Sequence, residues 1–200
     1  MKAFALNCTL KPGPAASSTD LILDHIEAEF VALEVTMTRA RVADHVVHAS
    51  VSSDEGNGDE WPQLRSQILA AELFVLATPI WMGHPSSYAQ RVLERLDAFL
   101  GETDSRGQMA SVDRVAVVAV VGNEDGAHHV GAELFQGLSD VGFTIPANGM
   151  TYWVGEAMHR TDYKDLPATP EKTAQTTHTM VTNAVHLART LADRPYPSLQ

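Results

Sequence analysis

Apolar residues follow two patterns along the chain. Short apolar or alternating runs predict strands, and apolar residues spaced by three or four positions predict one face of a helix. The predicted strands are residues 3–6, 34–38, 73–77, 114–121 and 143–145. The predicted helices have their apolar faces within residues 22–33, 64–69, 88–100, 130–141 and 180–191. Strands and helices therefore alternate, while residues 39–53 and 151–170 show no decisive pattern.

This alternation is typical of a parallel sheet with helices on both faces. Residues 114–121 are rich in valine, which indicates a strand buried on both sides. Five such strands predict an α/β, flavodoxin-like, doubly wound sheet in the order 2-1-3-4-5, and residues 1–200 are expected to form a single domain. Ligands of such sheets bind beyond the carboxyl ends of the strands. The loops expected to meet there are residues 7–18, 78–86 and 122–129.

The first loop carries hydroxyl side chains and a lysine. Its candidate binding residues are Thr9, Lys11, Ser17, Ser18 and Thr19. Hydroxyls and free backbone N–H groups at the start of a helix bind anions, and a lysine adds positive charge. Neither a Walker pattern nor a dinucleotide glycine pattern is present, so we expect a monophosphate. The alternative is that these hydroxyls only cap the helix.

The second loop follows a strand that we expect to end at Thr78-Pro79. Its candidate binding residues are Pro79, Ile80, Trp81, Met82 and Gly83. An indole, a thioether and nearby backbone N–H groups suit the face and edge of a planar heteroaromatic ring, which we interpret as a flavin. Gly83 would permit close backbone approach. The alternative is that Trp81 and Met82 pack in the core or in a dimer interface.

The third loop combines glycines with polar side chains. Its candidate binding residues are Gly122, Asn123, Glu124, Gly126 and His128. His128 and His129 point apart if helical, and no carboxylate is expected to complete a metal site with them. We therefore expect these histidines, like His84, to lie at the rim of the site, and we expect no metal. The sequence shows no nucleophile elbow and no ordered Ser–His–Asp set, so no catalytic side chain is assigned.

Composition narrows the class of protein further. The 200 residues are 44% hydrophobic, enough for a packed core. A net charge of -11 argues against nucleic acid and anionic membranes as partners. The single cysteine, Cys8, excludes an intramolecular disulfide and an iron–sulfur cluster built by one chain. No signal-peptide pattern or membrane-length apolar segment is visible, and we expect a cytoplasmic protein.

Three segments at the predicted loops form a recognisable set. They are residues 8–11 with 17–19, residues 78–86 with the helix that follows, and residues 122–126 with 142–143. Together they resemble the NAD(P)H-dependent FMN reductases of the flavodoxin-like superfamily. Residues 152–156 and 162–163 are also similar to the C-terminal part of many members, so the resemblance covers nearly the whole chain. The first loop departs from the family, with Cys8-Thr9 for the usual glycine-serine and Lys11 for arginine.

The resemblance implies an enzyme that passes hydride from NAD(P)H through bound FMN to a small acceptor, such as a quinone, a flavin, an azo or nitro compound or ferric iron. It implies that backbone N–H groups of residues 80–83 face the ring. It also implies a homodimer or homotetramer, with Trp61, Trp153 and Tyr163 as candidate interface residues. The alternative is that these three are ordinary core aromatics. The alternatives are a flavodoxin-like FMN-binding electron carrier without its own NAD(P)H activity, and a flavin-free domain that keeps only the fold.

Overall fold

The structure is a computed structural model that describes residues 1–157 and 159–200. Its strands are β1 (Lys2–Asn7), β2 (Thr36–Arg41), β3 (Leu73–Trp81), β4 (His84–Pro85), β5 (Val115–Gly122) and β6 (Met150–Val154). Its α-helices are α1 (Ser18–Ala32), α2 (Trp61–Leu69), α3 (Ser87–Leu96), α4 (Ala127–Asp140) and α5 (Glu171–Asp193). Short 3-10 helices occupy Val42–Asp44, Asp97–Gly101 and Tyr163–Asp165. Among the described residues, no helix combines the length and apolar character needed to cross a membrane.

Five parallel strands form the sheet in the order β2-β1-β3-β5-β6. The two-residue β4 pairs only with the end of β3, in an antiparallel hairpin. With β4 set aside, the spatial order is the predicted 2-1-3-4-5, and the flavodoxin-like prediction is confirmed. Because all five strands run the same way, their carboxyl ends share one edge of the sheet.

The helices cover both faces of the sheet, as predicted. On one face, α1 and α5 pack on side chains such as Ala5, Val75 and Val117. On the other, α2, α3 and α4 pack on the alternate residues of the same strands, such as Phe4, Leu76 and Val118. Strand residues alternate between the two faces, so a strand buried on both sides must be apolar throughout.

Two strand predictions are wrong at their ends. The central strand continues through Thr78-Pro79 to Trp81, because Pro79 lacks only an N–H group and still pairs in register with Val121. The second strand is Thr36–Arg41 and not residues 34–38. Glu34 has a positive φ of 61°, and the N–H of Val35 still donates to a carbonyl of α1, so the strand starts later.

The last predicted strand, residues 143–145, is replaced by β6. Thr144 makes only an isolated bridge to Val115, and Pro146 follows shortly after. The chain then pairs Met150–Val154 with the carboxyl half of β5. All but the first residue of this strand lie in residues 151–170, where the sequence shows no decisive pattern, because four of the strand's five residues are only partly buried. Helix α5 covers it, with Thr151 bonded to Thr177 at 2.8 Å.

A buried arginine holds the long connection between β2 and α2. The guanidinium of Arg95, which is fully buried, donates to the carboxylate of Asp59 at 2.7 Å and to the carbonyls of His48 and Ser52 at 2.9 and 3.0 Å. It also lies 5.6 Å from the ring centroid of Trp61. This one side chain therefore organises a segment with little core of its own.

Candidate functional site

A cavity of about 570 Å³ opens at the carboxyl edge of the sheet. The three loops predicted from the sequence all line it, together with Trp153 of β6 and residues within 159–164, which follow β6. The candidate residues that line it are Thr9, Lys11, Ser17, Ser18, Thr19, Pro79, Ile80, Trp81, Gly122, Asn123 and Glu124. Four candidates, Met82, Gly83, Gly126 and His128, are not among its lining residues.

The first loop is held in place by Arg41 at the end of β2. Its guanidinium donates to the carbonyls of Lys11 and Ala15 at 3.0 and 2.9 Å and pairs with Asp20. Asp20 also accepts from the amide of Asn7 at 2.5 Å. Arg41 thus both shapes the loop and balances the one carboxylate in the first turn of α1. An anion near this turn would not face an uncompensated carboxylate.

The hydroxyl groups of this loop gather at the start of α1. Ser17 is the N-cap, and its Oγ accepts from the N–H of Thr19 at 3.1 Å, so the capping interpretation holds for Ser17. Ser18 Oγ accepts from the N–H of Lys164 at 3.3 Å, which ties the 3-10 helix Tyr163–Asp165 to the start of α1. Hydroxyls, a helix N-terminus and the amine of Lys11 share this end of the cavity, a set that suits an anion. Cys8 lies beneath it, and burial raises the pKa of its thiol.

The second loop is a tight β-hairpin. Ile80 and Trp81 pair with Pro85 and His84, and the two turn residues, Met82 and Gly83, have φ of 54° and 77°. Two successive positive φ values are the signature of a type I′ turn, where glycine is favoured. The turn therefore explains Gly83 without a ligand. Trp81 is 53% exposed at the cavity rim and Met82 is 87% exposed.

One expected backbone donor of this hairpin is already paired. The N–H of Met82 donates to Glu124 Oε1 at 2.8 Å, so it does not point freely toward a ligand. The expectation that all N–H groups of residues 80–83 face a ring is therefore corrected at Met82. The bond joins the second loop to the third across the mouth of the cavity.

The third loop packs against the hairpin. Gly126 has a φ of 114°, and a Cβ there would lie 3.0 Å from the Cα of Gly83, so the two glycines let the loops touch. This contact, and not close approach to a ligand, accounts for Gly126. His128 turns away from the cavity and bonds Tyr152 Oη through Nε2 at 3.1 Å. Gly122, Asn123 and Glu124 remain on the cavity side.

Trp153 and residues within 159–164 form a fourth wall that motif reasoning did not assign to the site. The lining residues from this segment are Trp153, His159, Arg160, Asp162, Tyr163 and Lys164. The rings of Trp153 and Tyr163 pack against each other with centroids 5.4 Å apart and planes tilted by 41°. The one available signal was the family resemblance of residues 152–156 and 162–163. Of the candidate interface residues, Trp61 and Tyr163 are 0% and 1% exposed, so for these two the alternative of core aromatics holds.

The described residues fit FMN. One end of the cavity offers an anion site for a phosphate, and Ile80, Trp81 and Trp153 supply apolar and flat surfaces. Between them, Asn123 donates to Asp162 Oδ1 at 2.6 Å, while its own Oδ1 is buried and has no partner within the described part of the chain. A buried acceptor without a donor is costly, so a donor from a ligand would stabilise it.

One expectation about metal ligands is wrong. His128 and His129 do point apart, but Glu133 is placed beside His129 and His84, and Glu133 Oε1 lies 2.9 Å from His129 Nε2 and 3.1 Å from His84 Nδ1. A carboxylate that completes a set of three ligands is therefore present. It lies on the outer side of the hairpin, away from the residues that line the cavity.

Fold and site together define a flavodoxin-like protein whose cavity fits FMN. The sequence profile described as NADPH-dependent FMN reductase matches residues 1–159, and the chain belongs to this family. The resemblance seen in the loop motifs is thus confirmed.

Individual relatives agree with this assignment. The chain is 33% identical to 8-demethyl-8-aminoriboflavin-5'-phosphate synthase of Streptomyces davaonensis, over 98% of this chain and 80% of that protein. The crystal structure of RosB with the bound intermediate 8-demethyl-8-formylriboflavin-5'-phosphate superposes with a TM-score of 0.89 at 31% identity, covering 98% of this chain and 82% of that one.

A second relative is much longer. The chain is 34% identical, over 98% of its length, to a Mycobacterium bovis protein named divalent metal cation transporter MntH. It spans only 30% of that protein, so the name describes a much larger molecule.

Proposed function

We propose that the chain takes hydride from NAD(P)H and passes it through bound FMN to a small acceptor, such as a quinone, a free flavin, an azo or nitro compound or ferric iron. The observation that carries this proposal is that one cavity joins an end lined by hydroxyls, a helix N-terminus and Lys11 to an apolar wall with an exposed rim. Bound FMN supplies the redox chemistry, and the protein supplies orientation and electrostatics.

The residues of the first loop would hold the FMN phosphate. Hydroxyls of Ser18 and Thr19 and the amine of Lys11 would donate to it, at the positive end of α1. Arg41 would act as a positioning residue, because its bonds to two loop carbonyls fix the loop without lining the cavity. Ile80 and Trp81 would contact the ring, and Asn123 Oδ1 would accept a hydrogen bond.

An exposed arginine at the rim would favour a negatively charged co-substrate. His159, Arg160 and Lys164 line the cavity mouth. The ammonium of Lys164 is shared with Asp162 and Asp165, at 3.3 and 2.6 Å. Arg160 is exposed, and we assign it the role of attracting the phosphates of NAD(P)H.

A second candidate is that the flavin is the substrate and not the cofactor. It is favoured by one observation, the match at 31% identity and a TM-score of 0.89 to a structure that holds 8-demethyl-8-formylriboflavin-5'-phosphate. On that hypothesis the same cavity would bind FMN, and the ring's 8-methyl group would be modified. The rim residues Trp81 and Trp153 would then contact the reacting end of the ring.

Two readouts on the purified full chain separate these hypotheses. With FMN and NADPH under anaerobic conditions, the oxidoreductase bleaches the flavin absorbance, and added quinone restores it. With FMN in air, a flavin-modifying enzyme changes the mass of the extracted flavin. Bleaching with unchanged flavin mass supports our proposal. A changed mass without NAD(P)H-dependent bleaching supports the second candidate, and FMN binding with neither reaction supports a carrier.

The phosphate site is tested separately by comparing FMN with riboflavin, which lacks the phosphate. Loss of a charge-assisted hydrogen bond costs about 1.5–3 kcal/mol, so Lys11→Ala should weaken FMN binding by at least tenfold. It should leave riboflavin affinity nearly unchanged. Lys172→Ala, at an exposed position of α5, is the matched control. Equal losses for both ligands would contradict the assignment of Lys11.

We also propose that the chain is a homodimer or homotetramer. Three exposed apolar residues lie near the cavity mouth: Leu10 at 43%, Trp81 at 53% and Met82 at 87% exposure. Apolar groups grouped in this way are typical of interaction surfaces. Light scattering of the purified chain gives the mass directly, and Met82→Asp is expected to shift it toward the monomer.

A further inference from the structure

Two imidazoles and one carboxylate meet on the outer side of the hairpin. His84 belongs to β4, and His129 and Glu133 lie one turn apart on α4. Their ligand atoms all lie within 4.8 Å of one another. Both imidazoles contact the same carboxylate oxygen, at 3.1 Å from His84 Nδ1 and 2.9 Å from His129 Nε2. The geometry points to a binding site for a borderline divalent metal ion such as Zn²⁺, formed by these three side chains.

The spacing of the three atoms suits a small ion. A tetrahedral zinc ion with bonds of about 2.1 Å holds its ligand atoms about 3.4 Å apart. The two observed nitrogen-to-oxygen distances are a few tenths of an ångström shorter than this. Side-chain exposures of 61% for His84 and 55% for His129 leave both rings free to make that adjustment. The outward side stays open to water as further ligand.

The set sits on rigid elements. Residues four apart on a helix face the same way, which places His129 and Glu133 side by side. His84 is held by its pairing with Trp81 and by the turn at Met82–Gly83. The tip of the hairpin touches the start of α4, where Gly126 meets the backbone of Gly83. The backbone positions of the ligands are therefore set before any ion binds, so ion binding loses less conformational entropy.

The donor atoms select the class of ion. Two imidazole nitrogens and one carboxylate suit zinc, nickel, cobalt and copper, whereas magnesium and calcium prefer oxygen ligands. An ion here would bridge the hairpin that carries Trp81 to helix α4. We infer that its binding stabilises the loop at the cavity mouth. This inference does not depend on whether FMN binds.

The test is a titration of the chelator-treated full chain with ZnCl₂ by calorimetry, and with CoCl₂ by visible absorbance. We expect one saturable ion per chain, no competition from excess Mg²⁺, and intense cobalt bands of tetrahedral coordination. His84→Ala and His129→Ala should each weaken zinc binding more than tenfold, since loss even of an outer-shell partner costs about 10–100-fold. Glu133→Gln, which keeps the side-chain shape, should also weaken it.

His178→Ala is the matched control, because His178 forms a similar exposed pair with Glu29, at 2.8 Å, on another face. It should bind zinc like the parent chain. All four variants change exposed or half-exposed side chains, and circular dichroism in chelator should show parent-like unfolding. Absence of saturable zinc binding by the parent chain overturns the inference, as does undiminished affinity in both His84→Ala and His129→Ala.

Discussion

Replacing Arg95 by methionine tests how the long β2–α2 connection is held. The arginine side chain is fully buried, and methionine fills a similar volume without charge. The substitution removes the ion pair with Asp59 and the bonds to the carbonyls of His48 and Ser52. It leaves a fully buried carboxylate without its cation.

The size of the effect follows from these contacts. Removing one partner of a buried ion pair costs about 3–5 kcal/mol, because the remaining charge is uncompensated. A domain of this kind has a total stability of about 5–15 kcal/mol, so this one change should remove a large share of it. If Asp59→Asn is made as well, no buried charge remains. The double variant should then be more stable, by about 2 kcal/mol, than the sum of the two single effects predicts.

The measurement is urea unfolding followed by circular dichroism and by tryptophan fluorescence, to which the adjacent buried Trp61 contributes. Glu94→Ala, an exposed position on the same helix, is the control and should change the free energy of unfolding by less than about 0.5 kcal/mol. A cost below about 1 kcal/mol for Arg95→Met, or strict additivity in the double variant, would refute the reasoning.

Three further predictions concern single side chains. Burial acts to raise the pKa of Asp59, but its hydrogen bonds with Arg95 and backbone N–H groups outweigh this and lower the pKa from 3.8 to about 2. The resulting stability is present above pH 3.8 and is lost as the pH falls toward 2. Between these pH values the urea midpoint should therefore fall less steeply for Asp59→Asn than for the parent chain. Ser86→Ala removes a buried N-cap that also donates to the Cys8 carbonyl at 2.6 Å, and it should lower the free energy of unfolding in urea by about 1–2 kcal/mol. The exposed Ser87→Ala is the control and should cost less than about 0.5 kcal/mol. Equal costs would contradict the capping role of Ser86. Arg41→Met should weaken FMN binding about tenfold in a fluorescence titration, because the first loop loses its charged hydrogen bonds. Arg189→Met, which removes a bond to the Leu33 carbonyl, is the control and should leave FMN affinity unchanged. An unchanged affinity in Arg41→Met would show that the loop holds its shape without Arg41.

The strands that form the centre of the sheet could be predicted because a buried strand is a run of apolar residues in the local sequence. β5 and residues 73–77 of β3 are covered on both faces, and such a stretch is apolar throughout wherever the helices lie. The same reasoning predicts the carboxyl edge as the site, since it depends only on strands running in parallel. The loop hydroxyls, Ile80, Trp81 and Asn123 all lie where this reasoning placed them.

Other features depend on contacts between distant segments. The sequence did not show that the last strand is Met150–Val154 and not residues 143–145. The side chains of Met150–Val154 are mostly partly buried and show no regular apolar pattern, and their pairing with β5 decides the outcome. The wall formed by Trp153 and residues within 159–164 follows from that choice, since β6 ends at the cavity. Arg95 likewise looks like a surface residue of a helix until the connection folds over it.

The sequence by itself determined the class of fold, the loops at its functional edge and the family. Only the tertiary structure decided that Met82 and Gly126 serve the packing of two loops, and that His84 lies beside Glu133, 49 positions away in the chain. The physical reason is that hydrophobic periodicity records how a segment is buried but not which segment buries it. That second property depends on how hairpin and helix dock, which no local pattern contains.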